Sequence, residues 1–125
     1  MGTVKRFEDL DVWKLSRTLC LRVGKIIDNG NLKNNYRLIS QLEGSSGSIM
    51  DNIAEGFERN SAKDFSHFLV ISRGSLSEIK AQLLLAKDLL YLPPQECDKL
   101  CAEATEIHKM LNSFKTTLEK KGLVH

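Results

Sequence analysis

The spacing of apolar and small residues between Phe65 and Leu90 constrains this chain more than any other feature. Phe65, Leu69, Ser72, Leu76, Ile79, Leu83, Ala86 and Leu90 follow one another in alternating steps of four and three. Such a run places one face of an α-helix against a partner, and a strand, with its period of two, cannot present it. The same spacing recurs three more times. Val12, Ser16, Leu19, Val23 and Ile26 mark a first helix over Glu8–Asp28, with a neighbouring seam through Trp13, Cys20 and Ile27. Ile39, Leu42, Ser46, Ile49 and Ile53 mark a second over Tyr36–Arg59, and Cys97, Leu100, Ala104, Ile107, Leu111, Phe114 and Leu118 a fourth over Gln95–Lys120. The third runs over Ala62–Tyr91.

Punctuation agrees with the periodicity. Asn29-Gly30-Asn31 suits a helix C-terminus, because glycine and asparagine tolerate the left-handed conformation found there. Asn34 or Asn35 and Ser61 are placed to cap the second and third helices. The only prolines, Pro93 and Pro94, are adjacent and stop the third helix, with Pro94 in the first turn of the fourth. Connections of about two to seven residues turn successive helices antiparallel. The near-heptad seams suit helices crossing at a shallow angle. The expected fold is all-α: an antiparallel up-down four-helix bundle forming a single domain over residues 1–125.

Composition fits a packed domain and narrows the partners. A hydrophobic fraction of 42% can build a core, while a charged fraction of 27% with a net charge of only +2 excludes a highly charged disordered chain. Cys20, Cys97 and Cys101 form no disulfide pattern and read as free thiols of a reducing compartment. The opening residues carry no apolar signal core. The richest apolar run, Leu83 to Leu92, is interrupted by Lys87 and Asp88, short of the roughly 20 residues a membrane span needs. A cytoplasmic location without membrane contact is expected.

Surface residues left after the core is filled raise three possibilities. Leu10 and Leu21 on the first helix, and Ile71, Leu85 and Leu89 on the third, lie away from the inner stripes. They are either incidental surface leucines and isoleucine or a subunit interface. Gly44, Gly47 and Gly74 sit inside helices, where glycine costs about 1 kcal/mol relative to alanine. They point sideways, and either admit a helix from another subunit or relieve crowding. Lys14, Arg17 and Lys25 face outward on the first helix, with Arg22 nearby. From Lys5 to Lys33 there are seven basic and four acidic residues, a local excess of +3. That strip is either an ordinary solvated face or a set of phosphate contacts.

Asn52, Glu55 and Arg59 share a flank of the second helix, with Glu55 and Arg59 at the i, i+4 spacing that favours an ion pair. They read as a polar brace fixing hairpin or subunit geometry, with a ligand site as the alternative.

Catalytic chemistry finds no such support. Cys97, Cys101 and His108 fall within about 40° on one side of the fourth helix, but the histidine lies about 10 Å beyond Cys101 along the axis, too far for one chelate. Asp64-Phe65-Ser66-His67 is a single imperfect half of the paired motif that a di-metal bundle requires. There is no phosphate-binding GxxxxGK[ST] loop, and the serines of Gly44–Ser48 have no recognisable histidine base. No metal, cofactor or catalytic residue is expected, and the chain is not expected to be an enzyme.

Two segments carry a family resemblance. One is Phe7-Glu8-Asp9-Leu10-Asp11-Val12-Trp13. The other is Asn52-Ile53-Ala54-Glu55-Gly56-Phe57, followed by Arg59, Ser61, Phe65, Phe68-Leu69, Gly74-Ser75 and Glu78. Together they resemble the four-helix bundle proteins encoded in intervening sequences of 23S ribosomal RNA genes, a family that includes the accessory variability protein of diversity-generating retroelements. The resemblance spans nearly the whole chain. It implies an antiparallel four-helix bundle, a barrel-like homopentamer in related members, and no known enzymatic activity. It also implies a basic surface, and in the retroelement relative, binding of nucleic acid and of its reverse transcriptase. Many relatives carry two adjacent arginines after the Gln-Leu of the second helix, whereas here Gln41-Leu42 is followed by Glu43-Gly44. The expected function is a non-catalytic homopentameric bundle that binds RNA or a ribonucleoprotein partner through Lys14, Arg17, Arg22 and Lys25. The alternative is a protein–protein scaffold without direct nucleic-acid contact, which Glu43 favours.

Overall fold

A computed structural model describes residues 4–124, with side chains as far as Lys120. A short 3-10 turn, Phe7–Asp9, leads into helix α1 at Asp11–Asp28; α2 spans Tyr36–Phe57, α3 Ala62–Asp88 and α4 Pro94–Val124. Among the described residues there is no strand.

The expected stripes become buried except at their ends. Leu90 is 89% exposed because the chain turns left-handed there. Ile39 and Phe114 are only partly buried, and Leu38 rather than Ile39 takes the inner place at the start of α2. Val12, Leu19, Val23 and Ile26 from α1 meet Leu42, Ile49 and Ile53 from α2. Leu69, Leu76, Ile79 and Leu83 from α3 and Leu100, Ile107 and Leu111 from α4 complete one continuous cluster. Each fully buried leucine or isoleucine contributes on the order of 2 kcal/mol. Three serines lie in these stripes without disrupting them. Ser16 and Ser46 donate to the carbonyls of Val12 and Leu42 one turn back, each at 2.7 Å, and Ser72 donates across to the Ile49 carbonyl at 2.9 Å.

Cross-helix bonds give the topology. Ser72, Ser75 and Gln82, in ascending order on α3, bond to Ile49, Ser48 and Ser45, in descending order on α2. Arg73 and Lys80 bond in the same crossed order to Asn112 and Thr105 on α4. Arg22 of α1 pairs with Glu103 of α4, while Leu10 and Val12 border a cavity with Phe114 and Thr117. Each of these three pairs is therefore antiparallel.

The helix ends follow local chemistry. The Asn35 side chain accepts from the Leu38 amide and the Ser61 hydroxyl from the Asp64 amide, both at 3.1 Å. At the end of α1, Gly30 takes the left-handed conformation (φ 76°), its amide bonding to Ile27 and that of Asn31 to Ile26. The end of α3 repeats this closure with Leu90 at φ 65°, its amide bonding to Lys87 and that of Tyr91 to Ala86. A leucine there costs about 1 kcal/mol more than glycine would.

Several boundaries differ from the sequence expectation. The first helix begins at Asp11 rather than Glu8, because Leu10 is extended (ψ 129°) and separates it from the 3-10 turn. The second ends at Phe57 rather than Arg59, and the third at Asp88 rather than Tyr91, where Leu90 turns the chain left-handed. The fourth starts at Pro94 and continues past Lys120 to Val124, since a lone Gly122 weakens a helix without ending it.

Candidate functional site

The outer face of α1 carries the predicted cations, and they do not form one uniform set. At about 100° per residue, Lys14, Arg17, Leu21 and Lys25 fall on one line spanning about 16 Å of helix. All four are exposed. The Arg17 guanidinium lies over the Trp13 ring, 5.8 Å from its centroid, and that ring packs edge-on against Phe7 at 5.3 Å. Arg17 is thereby held against α1 while its donors stay accessible. Arg22 is different. It turns toward α4, is half-buried and pairs with Glu103, so its charge is locally balanced.

The predicted interface residues also divide. Ile71, Gly74, Leu85 and Leu89 lie along the flank of α3 that faces away from α4, and Gly44 lies on the adjoining side of α2. Between them a shallow groove of about 380 Å³ is lined by Ser40, Gln41, Gly44, Ser45, Ser48, Glu78 and Gln82. A Cβ added at Gly44, Gly47 or Gly74 would meet nothing within 4 Å. These glycines therefore relieve no crowding within the chain. Ile71, Leu85 and Leu89 are 39%, 46% and 43% exposed. Gln82 donates to Ser45 at 3.1 Å, but its buried Oε1 has no partner. Leu21, 59% exposed, belongs to the basic line of α1 instead.

Leu10 corrects the expectation that it lies on an outer surface. It is only 5% exposed, because the 3-10 turn before it re-aims its side chain into the core.

The expected brace separates into two units. Arg59 pairs with Glu55 at 2.7 Å and its guanidinium lies 4.7 Å from the Phe68 ring centroid, tying α2 to α3. Asn52 does not join them. Its amide donates to the Ser48 carbonyl at 2.8 Å and to Ser48 Oγ at 3.1 Å, and that hydroxyl accepts from Ser75 at 2.8 Å. Beside these units lies Gly56, whose role sequence reasoning did not assign. A Cβ there would sit 2.7 Å from a Phe65 ring carbon and 2.8 Å from Phe68 Cβ. Its place among three phenylalanines was the only available signal.

A second basic group lies between α3 and α4. Arg73 donates to Asn112 Oδ1 and Lys80 to Thr105 Oγ1, both at 2.8 Å. His108 lies beside them, and burial, reinforced by the charges of Arg73 and Lys80, holds its pKa below the ordinary histidine value. Helical counting through 73, 77 and 80 and through 105, 108 and 112 could have found this face.

The thiols are unconnected with that group. Cys97 is buried, donates to the Leu83 carbonyl at 3.4 Å, and has its pKa pushed up to about 11 by burial and then by Cys101. Such a thiol is a poor nucleophile at neutral pH. Among the described residues no group of three or more His, Cys, Asp or Glu is placed to hold a metal ion, and no helix is long and apolar enough to cross a membrane.

These elements define a four-helix bundle whose distinctive residues lie on its outer faces. The chain belongs to the 23S rRNA-intervening sequence protein family, whose model matches residues 8–113. Among solved structures it is similar to a protein of unknown function from the S23 ribosomal protein family of Bacteroides thetaiotaomicron. The two are 25% identical and superpose with a TM-score of 0.75 over 83% of this chain and 97% of that one. No curated protein matches the chain.

Proposed function

We propose that this protein is a non-catalytic homo-oligomeric bundle, pentameric as the family resemblance implies, that binds RNA through the basic face of α1. One observation carries the reading: the α2–α3 flank gathers exposed Ile71, Leu85 and Leu89 with Gly44 and Gly74, where an added Cβ would meet nothing inside the chain, while Lys14, Arg17 and Lys25 stand on a different face. Association through the first face leaves the second open. An assembly then repeats a weak three-cation strip several times, and simultaneous engagement raises avidity without new contacts. Arg22 contributes less than its neighbours because Glu103 balances it. The family description connects these proteins to ribosomal RNA genes by its wording, which supports RNA as the polyanion.

Light scattering on the purified chain, together with retention on a single-stranded RNA column, tests both halves. The reading expects a closed oligomer whose RNA binding falls steeply with salt and weakens in the Lys14→Glu, Arg17→Glu variant. A monomer, or an oligomer that ignores RNA at low salt, overturns it.

A second reading, a protein–protein scaffold without RNA contact, is favoured by Glu43 and by the neutralised Arg22. It expects the same oligomer with no salt-dependent RNA retention.

A further inference from the structure

The groove between α3 and α4 carries a second set of cations that enter no ion pair among the described residues. Its α3 side carries Arg73, Ser77 and Lys80, and its α4 side Thr105, His108 and Asn112. Between the levels of Thr105 and Asn112 no carboxylate shares this side of α4. By helical count Asp98 and Glu119 lie on it about two turns beyond either end, and Glu119 pairs with Lys115. Glu78, the only acidic residue of α3 between Asp64 and Asp88, lines the groove toward α2. Glu103 and Glu106 of α4 line a cavity with Leu15, Thr18 and Arg22 of α1. Among the described residues neither Arg73 nor Lys80 enters an ion pair. Each instead donates one hydrogen bond to a neutral oxygen of the opposite helix.

Those two bonds matter because they orient without neutralising. Arg73 keeps further guanidinium donors and Lys80 two ammonium donors, both held over the groove at little additional ordering cost. Two helical turns, about 10.5 Å, separate them along α3, and His108 lies at the level between. Two oriented cations, a histidine, hydroxyls and a side-chain amide are the residue types that contact phosphate oxygens. The α1 strip differs: there only Arg17 is oriented, by the Trp13 ring, Lys14 and Lys25 have no side-chain hydrogen bond among the described residues, and Arg22 is already matched by a carboxylate.

We infer that the α3–α4 groove is a second contact surface for the RNA phosphate backbone, with Arg73 and Lys80 as its principal phosphate ligands and His108 between them. The inference rests on the RNA-binding reading above and places part of that binding on a face the first helix does not touch. Burial first, and then the charges of Arg73 and Lys80, depress His108; a phosphate seated between Arg73 and Lys80 offsets the charge contribution, so the protonated form is favoured when RNA is bound. The charges facing that ring are Arg73 and Lys80 from α3; on its own helix Glu103 and Glu106 are directed to α1.

The experiment compares three full-length proteins by fluorescence anisotropy with a labelled single-stranded RNA 20-mer across a salt series. They are wild type, Arg73→Gln/Lys80→Gln and Lys14→Gln/Arg17→Gln. Thermal melts confirm that each is folded, and Arg73→Lys/Lys80→Arg serves as the charge-preserving control. The groove predicts at least a roughly tenfold loss of affinity for Arg73→Gln/Lys80→Gln at low salt. It also predicts a logarithmic salt slope shallower by about 1.4, the value for two lost contacts to a single strand. The control retains binding, and the His108 ring resonances titrate at higher pH in the wild-type complex than in the free protein. RNA binding by Arg73→Gln/Lys80→Gln equal to wild type, or an unmoved His108 titration, overturns the inference while leaving the α1 reading intact. Failure of the wild type to bind RNA at all overturns both.

Discussion

The α2–α3 and α1–α4 interfaces belong to one bundle but are built on opposite principles. Between α2 and α3 the side chains are small. Gly56 lies under Phe65 and Phe68 with no room for a methyl group, Ser72 reaches the Ile49 backbone carbonyl, and Ser75 and Gln82 bond to Ser48 and Ser45. Between α1 and α4 the described side chains form no cross-helix hydrogen bond apart from the Arg22–Glu103 pair. Open cavities of about 630, 420 and 310 Å³ follow that line instead. Side-chain size sets the distance between axes, and distance decides whether a short hydroxyl can reach the opposite backbone. The hairpin is therefore the rigid unit, and α1 is the element least tied to its neighbours. Both proposed RNA contacts involve helices flanking this looser side, while the proposed subunit contact uses the tight hairpin.

Replacing Ser72 breaks the contrast most directly. Ser72→Leu puts a large side chain where the Ser72 hydroxyl now sits 2.9 Å from the Ile49 carbonyl, and is expected to lower stability by about 3 kcal/mol. Ser113→Leu, at the rim of the α1–α4 cavity, makes the same change of volume with an effect within about 0.5 kcal/mol. Denaturant melts of the two variants decide it, and equal losses would show that the interfaces are packed alike.

Gly56→Ala comes next. The added methyl gains about 1 kcal/mol of helix propensity but meets Phe65 and Phe68 below 3 Å, for a net loss of about 1–2 kcal/mol. The same substitution at Gly44 or Gly74 meets open space and is expected to stabilise the isolated subunit by up to about 1 kcal/mol. If these glycines admit a second copy, the alanine variants also dissociate more readily on dilution, which light scattering measures. A more stable variant with unchanged association would remove the glycines from the interface.

The smallest effect belongs to Arg22→Gln. The pair with Glu103 is partly exposed, so its loss is expected to cost less than about 1 kcal/mol and to vanish at high salt. A larger, salt-independent loss would mean that this contact, rather than the hairpin, holds the bundle closed. Hydrogen exchange refines the picture: amides of α1 are expected to exchange faster than those facing the core in α2 and α3.

Most of the architecture was legible along the chain because it depends on neighbours three and four residues away. The Phe65–Leu83 stripe, the Ser61 cap and the turn at Gly30 are local matters of periodicity and backbone conformation. Element ends were harder to place. Leu90 adopts a left-handed conformation that its residue type does not suggest, and Leu10 is buried because of a 3-10 turn that no periodicity announces. The polar groups were hardest. Asn52 and Arg59 share a helix flank, yet one bonds to Ser48 and the other lies against Phe68.

Residue order by itself determined that this chain is four helices, which face of each is apolar, and where charge and small residues concentrate. Tertiary structure alone decided that Glu103 cancels Arg22, that Gly56 is crowded while Gly44, Gly47 and Gly74 are free, and that Arg73, Lys80 and His108 share one groove. The reason is physical. Helical periodicity is written in separations of three and four, whereas pairing between helices depends on axial level and rotation about each axis, which emerge only when four apolar faces close around a common core.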